Sequence, residues 1–208
     1  DPFENEVALA SRLSLSRPTV RRAMQTMVDQ GLLVRRRGIG TTVANRRIHR
    51  RAALSSLHDD LLRTGQTPTT TVLDLRRVRD ARAAAALDLP EPTELLALVR
   101  LRSTNGSPLA VLHNWLPPAY ADVTAGELET DGLYAALRAR GAAPVVANQS
   151  IGARMPSPEE RRRLAIVGQQ PVLTMTRTAF AATGDAIEFG DHSYRAADYS
   201  LDLVLDER

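Results

Sequence analysis

Two short amphipathic segments separated by three residues lie near the start of the chain. Leu9, Ala10 and Leu13 recur at helical spacing and predict a first helix, which the side chain of Asn5 can cap. A second helix is predicted to begin behind Ser16, and its apolar positions share one face: Val20, Ala23, Met24, Met27 and Val28. Two short helices joined by a tight turn are typical of a helix-turn-helix.

The opposite face of the second helix is basic and polar. Arginine, threonine and glutamine side chains reach phosphates and base edges in a major groove. We therefore predict DNA contacts for residues at the start and on the outer face of this helix: Ser16, Arg17, Thr19, Arg21, Arg22 and Gln25.

A β-hairpin is predicted at residues 32–43. Two short β-prone runs flank a pair of glycines, and arginines occupy positions 35–37. Because glycine lets a backbone approach DNA closely, we interpret this hairpin as a wing with DNA contacts from Arg36, Arg37, Gly38, Gly40 and Thr41. The alternative is a small helical domain with a solvated, arginine-rich hairpin.

The charge of the chain is unevenly distributed. All 27 basic residues are arginine, and the formal net charge is +3. Residues 1–51 carry eleven arginines and four acids, or +7, which leaves sixteen arginines and twenty acids, or −4, on residues 52–208. A basic head on a mildly acidic body favours a polyanion as the partner of the head, although a solvated charged face has the same composition.

The first 43 residues resemble the GntR family of bacterial transcription regulators. The matching pattern is Leu9-Ala10-x-x-Leu13-x-Leu15-Ser16-Arg17-x-Thr19-Val20-Arg21-x-Ala23, then Gly31-Leu32, then Arg37-Gly38-x-Gly40-Thr41-x-Val43. The resemblance implies that Arg17, Thr19, Arg21 and the wing glycines touch DNA. It also implies a homodimer that binds a palindromic operator.

Two features depart from the family pattern. Glu4-Asn5-Glu6-Val7 stands where the family usually has Pro-Ser-Glu-Arg, so Val7 replaces an arginine that often assists DNA binding. The first helix of the family motif has no counterpart, because the sequence begins at Asp1. We therefore expect an N-terminus that is truncated or partly ordered.

The rest of the chain predicts a larger second domain. Residues 45–53 are polar and basic without periodicity and are interpreted as a linker between a DNA-binding domain at 1–44 and a body at 54–208. Helices are predicted near 54–64, 81–88, 131–140 and 158–166, and strands near 70–79, 95–104, 108–116, 145–154, 171–182, 185–195 and 200–205. Strands outnumber helices and hairpins dominate, which favours an α+β domain on an antiparallel sheet.

This second domain resembles the UTRA effector-binding domain of the HutC branch of the same family, which shares its fold with chorismate lyase. The residues that carry the resemblance are Arg100-Leu101-Arg102, Gly106-x-Pro108-Leu109-Ala110, Trp115-Leu116-Pro117, Leu133-Tyr134, Ile187-Glu188-Phe189 and Tyr194-Arg195-Ala196-Ala197-Asp198-Tyr199.

Alternate residues on two predicted strands place polar side chains on common faces. Arg100 and Arg102 share one face, and a pair of guanidinium groups suits a phosphate or a carboxylate. Glu188, His192 and Tyr194 share a face of another strand, and a polar pocket is expected where the two faces converge. The alternatives are a surface salt-bridge pair for the arginines and purely structural roles for the other three.

The resemblance places Arg100, Arg102, Tyr134, Glu188 and Tyr194 at positions that bind effector in sugar-phosphate-sensing members. Leu112 stands where an acidic residue is frequent, and Gly132 stands where a serine is frequent; both changes remove polar ligand contacts. We therefore expect a small anionic effector of the phosphate, sugar phosphate or phosphonate class rather than a hydroxyl-rich neutral sugar.

Other function classes lack their motifs. The chain has no cysteine, and its histidines show no metal-ligand spacing, so no metal or cofactor site is predicted. Nucleotide-binding and hydrolase motifs are absent, as is any apolar run of about 18 residues. We predict a cytoplasmic, non-enzymatic repressor that responds to a ligand. The alternatives are a chorismate-lyase-like enzyme domain fused to a DNA-binding head, and a constitutive architectural DNA binder.

Overall fold

The computed structural model describes residues 3–29, 33–36, 40–43, 48–51, 56–63 and 65–202. The chain forms two compact units, Asp1–Arg47 and Ile48–Arg208. Within the described ranges, every helix is too short or too polar to cross a membrane.

The first unit contains two helices and a hairpin: α1 (Glu6–Leu13), α2 (Arg17–Asp29), β1 (Leu33–Arg36) and β2 (Gly40–Val43). α1 begins where the Asn5 side chain accepts hydrogen bonds from the N–H groups of Val7 and Ala8. α2 begins where Ser16 Oγ accepts from the N–H of Thr19. The unit buries one small apolar cluster: Leu9, Ala10, Val20, Met24 and Leu33. The predicted helix-turn-helix and hairpin are confirmed.

The second unit is built on a six-stranded antiparallel sheet with the order β4-β5-β6-β9-β8-β7. Its strands are β4 (Pro68–Val78), β5 (Leu95–Thr104), β6 (Ser107–Leu116), β7 (Val146–Arg154), β8 (Val172–Phe180) and β9 (Ala186–Arg195). A separate parallel pair is formed by β3 (Ile48–Arg51) and β10 (Tyr199–Asp202).

Helices cover both faces of the large sheet. They are α3 (Leu57–Arg63), α4 (Ala81–Ala86), α5 (Ala125–Thr130), α6 (Leu133–Ala139) and α7 (Pro158–Arg163), with a short 3-10 helix at Pro118–Tyr120. On one face, Leu61 of α3 packs near Leu112, and Leu137 of α6 packs near Leu98. On the other face, α4 packs on the β9 side chain Phe189, and the residue that ends α7, Leu164, packs near Val111. The α3/α6 face contains a cavity.

The α+β architecture on an antiparallel sheet is confirmed, and each helix and strand predicted for the second unit occurs within a few residues of its expected position. The sequence did not predict β3, α5 or the 3-10 helix. Residues 48–51 of the predicted linker form β3 and belong to the second unit.

Candidate functional site

The outer face of α2 is polar and open to solvent. The five residues predicted on this helix for DNA contact are all exposed: Arg17, Thr19, Arg21, Arg22 and Gln25. On the opposite face, Val20 and Met24 are only 2% and 1% exposed. Ala23 was predicted for the buried face but is exposed, so the apolar stripe is narrower than its spacing suggested.

Two local interactions order the basic face of α2. Arg21 Nε donates to a carboxylate oxygen of Glu6 in α1 at 3.1 Å, in a pair whose arginine side chain is 69% exposed. The hydroxyl groups of Ser16 and Thr19 lie 2.7 Å apart. Exposed ion pairs contribute at most about 1 kcal/mol, so a DNA phosphate can replace Glu6 as the partner of Arg21.

The wing is described only in part. Gly40 and Thr41 lie in β2, which pairs antiparallel with β1, and Arg36 is the last residue of β1. Arg37 and Gly38 lie outside the described residues, as does the side chain of Arg36. Their DNA contacts therefore stay predictions.

A cavity of about 40 Å³ opens on the α3/α6 face of the large sheet. The six residues predicted for effector binding all line it: Arg100, Arg102, Tyr134, Glu188, His192 and Tyr194. The structure adds further lining residues: Ser56, Leu57, His58, Leu112, Asn114, Leu133 and Arg177. Strands β5 and β9 both flank β6. Side chains at matching register positions on the two strands therefore point to the same side of the sheet.

Three guanidinium groups are buried in the cavity wall. Arg100, Arg102 and Arg177 are 4%, 2% and 6% exposed. Each of them contacts neutral groups, and none forms an ion pair with a carboxylate of the described residues. The Nε atoms of Arg100 and Arg102 are buried without a hydrogen-bond acceptor in the described part of the chain. Two guanidinium N–H donors of the residues that line the cavity therefore lack an acceptor.

Burial shifts the titration of these arginines. It lowers the pKa of Arg100 to about 10, an effect that the charge of Glu188 opposes. Burial, together with the neighbouring charge of Arg100, lowers the pKa of Arg102 to about 9. Both groups keep their charge at neutral pH, so the cavity holds more positive charge than Glu188, the carboxylate in its lining, can balance. Such a place attracts anions.

One carboxylate faces the three guanidinium groups. Glu188 is 1% exposed; Asn114 Nδ2 donates to one of its oxygens, and the Tyr134 hydroxyl donates to the other at 3.2 Å. Burial raises the pKa of Glu188, while the charge of Arg177 opposes this rise. A carboxylate in this position can accept hydrogen bonds from hydroxyl or amine groups of a ligand.

Asn114 links the two halves of the cavity. Its Oδ1 accepts from Arg100 at 2.7 Å, so its Nδ2 faces Glu188 and the Nε2 of His192, which lies 3.0 Å away. His192 Nε2 must then accept, and the ring proton belongs on Nδ1, 3.2 Å from the Tyr194 hydroxyl. This network holds the side chains in one arrangement before any ligand binds.

His58 brings α3 into the site. Its Nδ1 lies 2.9 Å from Nη1 of Arg102. Because arginine can only donate, the histidine nitrogen accepts and the ring is neutral. Burial lowers the pKa of His58, and the charge of Arg102 adds to this effect. Arg102 thus ties the sheet to the helix that covers the cavity.

Three small or apolar residues shape the cavity. At Gly190, a Cβ atom would lie 2.6 Å from His192 Nε2 and 2.7 Å from Glu188 Oε1, so only glycine leaves room for this pair. Gly132 has φ +83°, a backbone conformation that residues other than glycine rarely adopt. The backbone itself therefore disfavours the serine that is frequent at this position in the family. Leu112 lines the cavity and contributes no polar atom to it.

The sequence did not identify His58, Asn114 or Arg177 as cavity residues. Asn114 and Arg177 lie on predicted strands, where they are register partners of Gly190. A glycine inside a strand often marks a place where another group comes close to the backbone. Gly190 was therefore the sequence feature that could have indicated its register partners as cavity residues. Nothing in the spacing of His58 indicated its contact with Arg102.

Comparison with known families assigns both parts of the chain. Residues 5–43 match the family described as bacterial regulatory proteins, gntR family, and residues 63–200 match the UTRA domain. The second match includes every cavity residue on β5, β6, α6, β8 and β9.

Individual proteins show the same similarity. The HTH-type transcriptional repressor NagR of Bacillus subtilis (strain 168) is 28% identical, with 99% of this chain and 86% of that protein covered. The crystal structure of PhnF from Mycobacterium smegmatis superposes with a TM-score of 0.72 at 24% identity, covering 100% of this chain and 93% of that chain. A crystal structure from Streptomyces coelicolor is 46% identical over 65% of this chain and 91% of that chain, with a TM-score of 0.61.

Proposed function

Because the chain belongs to the gntR family of bacterial regulatory proteins and carries a UTRA domain, it is a DNA-binding transcription regulator, and we propose that it is a repressor released from its operator by a small anionic ligand. The excess of positive charge in the cavity, three buried guanidinium groups against the lining carboxylate of Glu188, supports an anionic ligand. The exposed basic face of α2 supplies the DNA-binding surface.

The energetics of the cavity favour an oxyanion. Leaving buried cations without a countercharge is unfavourable, and each hydrogen bond to a charged group contributes about 1.5–3 kcal/mol. An anion between Arg100 and Arg102 would satisfy both orphan Nε donors. The cavity of about 40 Å³ has room for roughly three water molecules. That space fits a phosphate, phosphonate or carboxylate group, while Glu188 accepts from a polar remainder of the ligand.

The repressor is proposed to act as a homodimer on a palindromic site. Helix-turn-helix proteins read two half-sites through two recognition helices, and the symmetry of the operator mirrors that of the protein. Two copies of α2 would then enter successive major grooves. Val7 supplies no cation at the start of α1, so the phosphate contacts depend on Arg17, Arg21 and Arg22.

An open sheet edge supports a dimer. Strand β7 is almost entirely exposed, including Val146 at 56% and Ile151 at 44%, and it carries a single charge at Arg154. The opposite edge is covered, since the N–H of Val72 in β4 donates to the side chain of Glu129 in α5. A second copy can extend the sheet at β7 in an antiparallel, two-fold symmetric way.

The proposed function is tested by measuring binding to the DNA upstream of the protein's own gene. We expect sequence-selective, salt-sensitive binding that falls when inorganic phosphate, a hexose phosphate or an alkylphosphonate is added, but not when a neutral hexose is added. Bound DNA that no anion releases would contradict the ligand class. Absence of selective DNA binding would contradict the repressor function and favour the lyase-like alternative.

A further inference from the structure

One side chain that lines the cavity stacks on an aromatic ring that lies outside the cavity. Tyr194 lines the cavity and is 1% exposed. Its ring stacks on that of Tyr199, with the ring centroids 4.2 Å apart and an interplanar angle of 18°. Tyr199 is 2% exposed and does not line the cavity. A shift of the Tyr194 ring toward or away from a ligand therefore changes its contact with the Tyr199 ring.

Tyr199 is also the first residue of β10. Strand β10 pairs in parallel with β3, and the register runs from Tyr199 opposite Ile48 to Asp202 opposite Arg51. In the part of the chain that the structure describes, these two strands form a sheet of their own. A two-stranded sheet is only marginally stable by itself, so its stability depends on how β10 is anchored. The Tyr194–Tyr199 stack provides this anchor at the cavity end.

Strand β3 occupies a critical place in the chain. It begins at Ile48, directly after the first unit ends at Arg47. A change in the pairing of β3 therefore takes place directly next to the DNA-binding unit in the sequence. The same apolar cluster holds Tyr194 and Tyr199 together with Leu57 and Leu61 of α3, the helix whose His58 contacts Arg102. A ligand that contacts Arg102 can therefore also affect this cluster through His58 and α3.

We propose that the Tyr194–Tyr199 stack couples occupancy of the cavity to the β3–β10 pair, and through β3 to the DNA-binding unit. The proposal rests on the proposed function, since it supplies the two-state element that a ligand-released repressor requires. An occupied cavity fixes Tyr194, Tyr194 holds Tyr199, and the β3–β10 pair becomes more stable. In the empty protein the pair opens more often, and β3 then no longer restricts the DNA-binding unit.

The first test uses inorganic phosphate as the probe and hydrogen–deuterium exchange as the readout. Phosphate should slow amide exchange in β5 and β9 and also in β3 and β10. Tyr199→Leu should keep the protection of β5 and β9 but lose that of β3 and β10. Tyr199→Phe retains the ring and is expected to behave as the wild type. An unchanged response of β3 and β10 in Tyr199→Leu overturns the coupling alone. Failure of phosphate to protect β5 and β9 in the wild type overturns the anion site, and the coupling falls with it.

A second variant keeps the coupling testable if Tyr199→Leu does not fold. His49 and Ser200 are register partners, and the chain has no cysteine of its own. Partner positions on neighbouring strands lie within disulfide reach, so His49→Cys combined with Ser200→Cys can lock the pair. We expect the oxidised protein to bind DNA with the same affinity with and without phosphate, and reduction to restore the difference. Equal release from DNA in the oxidised and reduced forms would contradict the coupling.

Discussion

At the scale of single residues, the cavity differs from the rest of the protein in how its arginines are paired. Arg140 shows the ordinary arrangement: it bonds Asp122 and Glu127 at 2.9 Å and lowers the pKa of Glu127 to about 2. Arg100 and Arg102 have no such carboxylate, and burial lowers their pKa values instead. Burying an arginine without an ion-pair partner destabilises the free protein, which supports the proposed anion as the partner of this pair.

Glu188→Gln tests the electrostatics of the cavity. The pKa of Glu188 is raised in the folded state above its usual value of 4.5. The folded protein therefore binds a proton more tightly than the unfolded chain, and this stabilisation is lost as pH rises through the folded pKa. We expect Glu188→Gln, which resembles the protonated acid, to have a higher unfolding free energy than the wild type at pH 7. The two proteins should become similar below the unfolded value of 4.5.

Urea unfolding between pH 4 and pH 7, without phosphate or sulfate, measures this difference. Asp185→Asn, at the β8–β9 turn, is a suitable control, because its carboxylate lies outside the cavity. A Glu188→Gln protein that is less stable than the wild type at pH 7 would show that the charged carboxylate is needed to hold the guanidinium groups together.

The sequence predicted part of this residue set. Strand alternation brought together Arg100 with Arg102, and Glu188 with His192 and Tyr194. Tyr134 came only from the family resemblance, because a helix residue has no alternation to place it. Asn114 and Arg177 were missed because their roles depend on register across β6, β9 and β8, which spacing along one strand does not determine.

At the scale of secondary-structure elements, β9 holds the site together. Glu188 and His192 lie on either side of Gly190, and the missing side chain at Gly190 allows both to reach Asn114 of β6. A buried central strand normally gains from a side chain at every position. The glycine therefore reflects the demands of the polar network rather than those of the sheet.

Gly190→Ala should displace His192 and Glu188, because the new Cβ would lie within 2.7 Å of both. We expect a loss of about 1–3 kcal/mol in unfolding free energy, as for other overpacked cores. Phosphate should no longer raise the melting temperature, while DNA binding persists. Gly126→Ala in α5 is the matched control: open space surrounds that position, and the melting temperature should stay the same or rise. A normal phosphate-induced shift in Gly190→Ala would contradict the network.

Predictability also varied among elements. Helices and strands with clear periodicity and turn signals occur where the sequence placed them. α5 was missed although Thr124 and Glu127 form a capping box, a recognisable start signal for a helix. β3 was missed because it carries two adjacent arginines and exists through its pairing with β10, from the far end of the chain. The pairing with a distant strand, and not the local β-propensity of residues 48–51, determines that this segment forms a strand.

At the scale of the whole molecule, the proposed repressor consists of two copies of the chain. Ile151→Lys places a charge on the open edge of β7, where it would face the second copy. We expect a shift from dimer to monomer in sedimentation equilibrium, with weaker operator binding. Val167→Lys is the control, since Val167 is 82% exposed and lies outside β7. A dimer that survives Ile151→Lys would exclude β7 as the contact.

The chain is proposed to hold two separable sites, a basic helix for DNA and an arginine-lined cavity for an anion, linked by ligand-dependent coupling. Their separability follows from the two compact units. Arg21→Ala removes a cation from the exposed face of α2, and Arg100→Met removes one from the cavity with little change in volume. Arg12→Ala, on α1, controls for the loss of one charge in the DNA-binding unit.

Fluorescence anisotropy with operator DNA, with and without saturating inorganic phosphate or hexose phosphate, measures whether the two sites are separable and coupled. Arg21→Ala should weaken DNA binding by about 1–3 kcal/mol relative to wild type and Arg12→Ala, and still respond to the anion. Arg100→Met should bind DNA like the wild type and no longer be released. Release of Arg100→Met at the wild-type anion concentration would contradict the claim, because the arginine-lined cavity would then not be the site that the anion uses.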